Sequence, residues 1–166
     1  MSDAIDLITE HWNRERPDVD VAPMAVIGRI SRLAQILEGE LKKFFNGHGL
    51  EFWEFDVLAT LRRSGGEKGL TAGALNAAAM RTSGAITNRV DRLTTKGLVR
   101  RAADPSDRRC IRVQLTPAGR ALVDELLPLH MANEARLLAE LGADDRDQLV
   151  RLLRGLAETL GDTSLG

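Results

Sequence analysis

The sequence predicts a mainly α-helical fold with one small β-hairpin: a winged helix-turn-helix, dimeric through its N- and C-terminal helices. Three observations point there. Apolar residues recur at helical spacing through most of the 166 residues. Two short helical stretches meet at a tight break near Arg81-Thr82, the signature of a helix-turn-helix. After Gly97 the period changes to two around the polar run Asp104-Pro105-Ser106-Asp107-Arg108-Arg109, as a hairpin wing requires.

In chain order, Ile5, Ile8 and Trp12 set a short amphipathic helix that ends by Arg16, because Pro17 disfavours helical geometry in the residue before it. Pro23 suits a first helical turn and opens a long helix to about Phe45, with Ile27, Ile30, Ala34, Leu37, Leu41 and Phe44 as its stripe. Gly47 and Gly49 interrupt it, and Leu50 to Arg63 form the next helix. Ser64 to Gly69 is a loop. Thr71 caps a helix to about Met80, and Thr82 or Ser83 caps another to about Lys96. In the latter Ile86, Val90 and Leu93 face inward, which turns Gly84, Thr87, Asn88, Asp91 and Arg92 outward or to the flanks. Leu98 to Ala102 pairs with a strand in which Ile111, Val113 and Leu115 alternate with polar residues. Thr116-Pro117 starts a helix to about Leu141, bent by Pro128. Past Gly142, a seam of Leu149, Leu152, Leu153, Leu156 and Leu160 closes the chain. A core of winged-helix size has little room for both terminal helices, so they are expected to pack against a second copy. The organisation is one structural domain in three stretches: 1–49 for effector and dimerisation, 50–116 for the winged helix, and 117–166 for dimerisation.

Composition removes several function classes. Hydrophobic residues at 43% and charged residues at 28% describe a globular chain rather than a disordered one. No apolar run reaches the roughly 18 residues of a membrane span, and an acidic N-terminus is unlike a signal peptide, so the expected setting is cytoplasmic with no membrane partner. One cysteine, Cys110, and three scattered histidines make neither a disulfide nor a metal site. Gly65-Gly66 lacks the Lys-Ser/Thr of a phosphate loop, and no nucleophile elbow or carboxylate pair in register with a histidine is present, so neither an enzyme nor a bound cofactor is expected. The charge distribution is more telling than its sum. Residues 81–120 hold ten basic and three acidic side chains, a balance of +7, while the whole chain is at −1. A basic element of that size in an acidic body suits double-stranded DNA.

The wing residues 104–109, the segment Leu115-Thr116-Pro117-Ala118-Gly119-Arg120 and the run Ser83 to Leu93 together resemble the MarR family of bacterial transcriptional regulators. That likeness implies a homodimer that represses by binding a palindromic operator. Its DNA contacts would come from Ser83, Thr87, Asn88, Arg89, Arg92, Arg108 and Arg109. The N-terminal helix with His11-Trp12-Asn13 and the stretch Phe55 to Arg63 are similar to the PecS-like, urate-responsive branch. The resemblance implies a purine anion such as urate held by Trp12 and Arg89, with Asp56 and Arg101 relaying its arrival and Arg100 the neighbouring alternative to Arg101. An indole face and a guanidinium fork suit a planar anion chemically. Simpler roles exist for each residue: a packing anchor for Trp12, a solvent-facing position for Asp56, a phosphate contact for Arg89. The alternatives in function are a response to another aromatic anion or to oxidation at Cys110, and a winged helix that binds protein. A protein-binding wing has no need of Arg108, Arg109 and the +7 segment.

Overall fold

The computed structural model describes residues 2–80, 86–104, 106–107 and 109–164. They belong to two compact units, residues 1–48 and 49–166.

The first unit is a helix pair. α1 (Ala4–Glu15) begins with a reciprocal cap: Asp3 accepts from the backbone of Ile5 and Asp6, and the Asp6 carboxylate accepts from Asp3 N at 3.0 Å. α2 (Ala22–Asn46) starts with Pro23 in its first turn, as the sequence predicts. Arg29 of α2 donates to Asp3 at 2.8 Å and to Asp6 at 2.5 Å, clamping the start of α1. Ile5 is buried, and Gly28 makes room for it: a Cβ at 28 would stand 2.8 Å from Ile5 Cδ1. The expected stripe of α2 is not a buried one. Ile27 is 56% exposed and Leu37 38%, and the fully enclosed residue is Phe45. Helical periodicity identifies an apolar face without saying what covers it.

The second unit is built around α3 (Phe52–Ser64), in which seven residues, Phe55, Val57, Leu58 and Leu61 among them, are buried. β1 (Leu70–Thr71) leads into α4 (Ala72–Ala78), whose N-cap Thr71 accepts from Ala74 N at 3.2 Å. α5 (Ile86–Thr95) seats Val90 and Leu93 in the core. β2 (Val99–Ala103) and β3 (Ile111–Leu115) form the hairpin, with Val99 opposite Leu115 and Ala103 opposite Ile111. The sheet order is β1-β3-β2, all antiparallel. The sequence does not announce β1: two residues carry no periodicity, and their pairing with Arg112 and Val113 is a tertiary event. Of the alternating residues of β3, Val113 is buried and Ile111, in the outermost pair of the wing, is 48% exposed.

α6 (Pro117–Leu137) starts at the expected cap, Thr116, and contains Pro128. It stops short of Leu141. Arg146 explains how the end is satisfied: it donates to Leu138 O at 2.7 Å and Leu141 O at 2.9 Å, giving carbonyls past the helix a partner. α7 (Ala143–Thr159) follows Gly142 and buries none of its residues. The mainly α, small-sheet fold class holds. No helix among the described residues is long and apolar enough to cross a membrane.

Candidate nucleic-acid interface

α5 and the wing both turn polar side chains to solvent. Because Val90 and Leu93 are held in the core, Thr87 and Asn88 are turned to solvent, side by side at the start of the helix. Ser83, the Arg81-Thr82 break and Arg108 lie outside the described residues. Arg109 extends into solvent, its side chain 94% exposed and 3.5 Å from Asp107.

The wing is stiffened at its tip end, just past β2, by Asp104, which the hairpin pattern treats as a turn residue and which is in fact buried. Its carboxylate accepts from Ser106 N at 2.8 Å and Ser106 Oγ at 2.6 Å, and from Arg112 Nε. Arg112 also donates to Gly69 O at 3.1 Å, tying the wing to the loop before β1. The Ser106 and Arg112 donors hold the Asp104 carboxyl far below the ordinary carboxylate range. Since the folded value is the lower one, the stabilisation is complete above the unfolded carboxyl value and is lost only as pH falls through the folded one. The Asp-Pro-Ser spacing was the available signal, an aspartate able to bond the amide two residues on.

Arg89 and Arg92 of α5, with Lys96 just past its end, recur at helical spacing, and Arg92 and Lys96 pair with carboxylates at the start of α3. Arg92 Nη2 donates to Glu51 Oε1 at 2.5 Å and its guanidinium lies 4.9 Å from the Trp53 ring centre. Arg89 lies 5.4 Å from the same ring. Trp53 Nε1 donates to the other Glu51 oxygen at 2.7 Å, and Lys96 donates to the buried Glu54 at 2.6 Å. Arg92 and the indole N–H lower the Glu51 carboxyl below its usual value. Two charges of the +7 segment are thus offset by carboxylates outside it. No local sequence pattern marks this cluster, since Glu51 and Arg92 are 41 residues apart.

The four residues of the expected effector site are distributed as follows. Trp12 is on α1, in the first unit, and 46% exposed. Asp56, Arg89 and Arg101 are in the second. Asp56 is buried, which removes its solvent-facing alternative, and accepts from Met80 N at 3.4 Å, just before the helix-turn-helix break. Arg101 of β2 donates to Asp91 of α5 at 2.5 Å, while its neighbour Arg100 is turned the other way and donates to Gln114 at 3.0 Å. Among the described residues no cluster of histidine, cysteine and carboxylate side chains could hold a metal ion.

Comparisons with known proteins agree with this architecture. The MarR family model matches residues 48–109. The chain is 38% identical over 146 residues to the HTH-type transcriptional regulator PecS of Dickeya dadantii, covering 88% of each protein. Among solved structures, it is similar to Bordetella bronchiseptica BpsR, whose DNA binding is regulated by 6-hydroxynicotinic acid (26% identity, TM-score 0.69, 80% of this chain and 92% of that one). It is also similar to Rhodococcus jostii CouR bound to p-coumaroyl-CoA (25% identity, TM-score 0.69, 87% and 98%). The exposed start of α5, the wing beside it and these likenesses over most of the chain lead to one conclusion: the chain belongs to the MarR family of transcriptional regulators and is not an enzyme.

Proposed function

We propose that this regulator is a homodimeric repressor released from a palindromic operator by a planar anion of the purine type, such as urate. The observation that carries the DNA part is the pairing of a solvent-facing Thr87-Asn88 edge on α5 with a wing arginine that is 94% exposed. In a two-fold dimer two such helices enter successive major grooves, with half-site centres about 10 bp apart. Thr87 and Asn88 reach base edges. Ser83, Arg89 and Arg92 take phosphates, and Arg108 and Arg109 reach the minor groove or its backbone. Residues 50–116 form the DNA-binding stretch, while 1–49 and 117–166 supply dimer contacts and, near Trp12, the effector contact.

Asn88→Ala is expected to blunt discrimination between operator and mutated operator by about 1 to 3 kcal/mol. Arg109→Ala is expected to weaken binding to every duplex and to reduce the salt slope. Mobility shifts across a salt series separate the two, and a wing variant with unaltered salt dependence sinks the assignment of the wing.

The effector reading draws on the resemblance at Trp12, Asp56, Arg89 and Arg101, and on similar proteins of which one is regulated by 6-hydroxynicotinic acid and another is bound to p-coumaroyl-CoA. The Asp91–Arg101 ion pair supports Arg101 over Arg100 as relay, because it couples β2 to α5. Buried Asp56, beside the break that precedes α5, is suited to feel a second negative charge and pass the repulsion to the helix. Urate at saturation is expected to weaken operator affinity about 5-fold to 150-fold. Asp56→Asn keeps shape and removes charge, so DNA binding persists and the urate response falls. Trp12→Phe likewise reduces the response. If both variants release DNA at the wild-type urate concentration, purine sensing is the wrong reading and the DNA-binding assignment stands without it.

A further inference from the structure

We propose that Glu51 and Trp53 gate Arg92, withholding it from DNA phosphates until α5 is seated on a correct site, so that Glu51 is a specificity-determining residue. The inference rests on the DNA-binding reading above. Arg92 stands on the same helix as Thr87 and Asn88, yet its guanidinium is occupied, bonded to Glu51 at 2.5 Å and laid against the Trp53 ring at 4.9 Å. Glu51 is itself fixed, since its second oxygen accepts the indole N–H at 2.7 Å and its backbone N–H donates to Glu54 Oε2 at 2.9 Å. The Glu54 carboxylate in turn holds Lys96 just past α5, so the start of α3 holds two neighbouring cations of the α5 region.

Both partners of the Arg92–Glu51 pair are half exposed, 56% and 50% at the side chain. A pair of that kind is weak and screened by salt, so a phosphate can replace the carboxylate. The exchange requires α5 to sit deep enough for a phosphate to approach, and base-edge contacts at Thr87 and Asn88 set that depth. Non-operator DNA supplies no such contacts. It is held by backbone charge alone, at a distance at which Glu51 keeps Arg92. The clamp therefore gives the operator a phosphate contact that other sequences do not obtain.

The test compares binding of operator and non-operator duplexes by the intact protein over a salt series. Glu51→Gln preserves an acceptor for the Trp53 N–H while removing the charge. It is expected to tighten non-operator binding roughly 3-fold to 10-fold and to steepen its salt slope by about one per subunit, with the operator slope unaltered. Arg92→Gln alone is expected to weaken operator binding and leave non-operator binding as it was. Combined with Glu51→Gln, it removes the non-operator gain, which separates release of Arg92 from simple loss of a negative charge. The clamp is overturned if Glu51→Gln leaves non-operator binding unaltered, if both duplexes tighten by the same factor, or if the gain survives Arg92→Gln. Wild-type protein that binds no duplex overturns the DNA-binding reading and the clamp together, whereas a wild type that binds alongside an indistinguishable Glu51→Gln overturns the clamp alone.

Discussion

Replacing Leu152 and Leu153 by glutamate is expected to turn the proposed dimer into a monomer and to lower operator affinity by about 100-fold or more, the scale lost when two linked binding elements become independent. Within one chain Leu152 is 64% exposed and Leu153 45%, and α7 has no buried residue along its 17 positions. A helix of that length, with Gly155 inside it, is marginal in water unless its apolar side packs on something. A second copy presenting its own α7, and the exposed apolar face of its α2, is the occupant we propose. Light scattering gives the mass and a mobility shift gives the affinity. A variant that remains a dimer with wild-type operator binding would contradict the role given to α7.

Gly119→Ala is expected to cost about 3 kcal/mol, at the upper end for overpacking, and to lower the thermal midpoint by roughly 6 to 12 °C for a chain of this size. A Cβ at 119 would stand 2.0 Å from Leu98 O and 3.0 Å from Leu98 C, backbone atoms that have no rotamer to escape into. The same carbonyl accepts from Thr116 N at 3.1 Å, and Thr116 Oγ1 donates to Gly97 O at 2.7 Å, so the collision falls on the joint between the wing base and α6. Gly73→Ala in the first turn of α4 is the control. There a Cβ meets nothing within 4 Å, and the midpoint is expected to hold or rise. Calorimetry on both variants decides: a Gly119→Ala protein as stable as Gly73→Ala would mean that α6 moves away from Leu98 at little cost.

Local chemistry written in a few adjacent residues determined most of the element order. Thr71 and Thr116-Pro117 start their helices where their hydroxyls and the fixed proline angle require. Val90 and Leu93, three apart, are inside, and that fact alone turns Asn88 out. The change of period after Gly97 marked the hairpin, and the +7 balance of residues 81–120 marked the element meant for a polyanion.

Long-range packing settles which charges remain available to that polyanion. Arg92 reads in sequence as a DNA contact and Arg101 as a relay, and each is bonded to a carboxylate, Glu51 for one and Asp91 for the other. Asp104 reads as a turn residue and is a buried acceptor for Arg112. Asp56 has a solvent-facing alternative in the sequence, and the fold buries it. The reason is physical. Periodicity and capping act over three or four residues of one chain segment, so they survive in the sequence as patterns. An ion pair between α3 and α5 joins residues 41 apart, and its existence depends on how two helices cross, which no local pattern records.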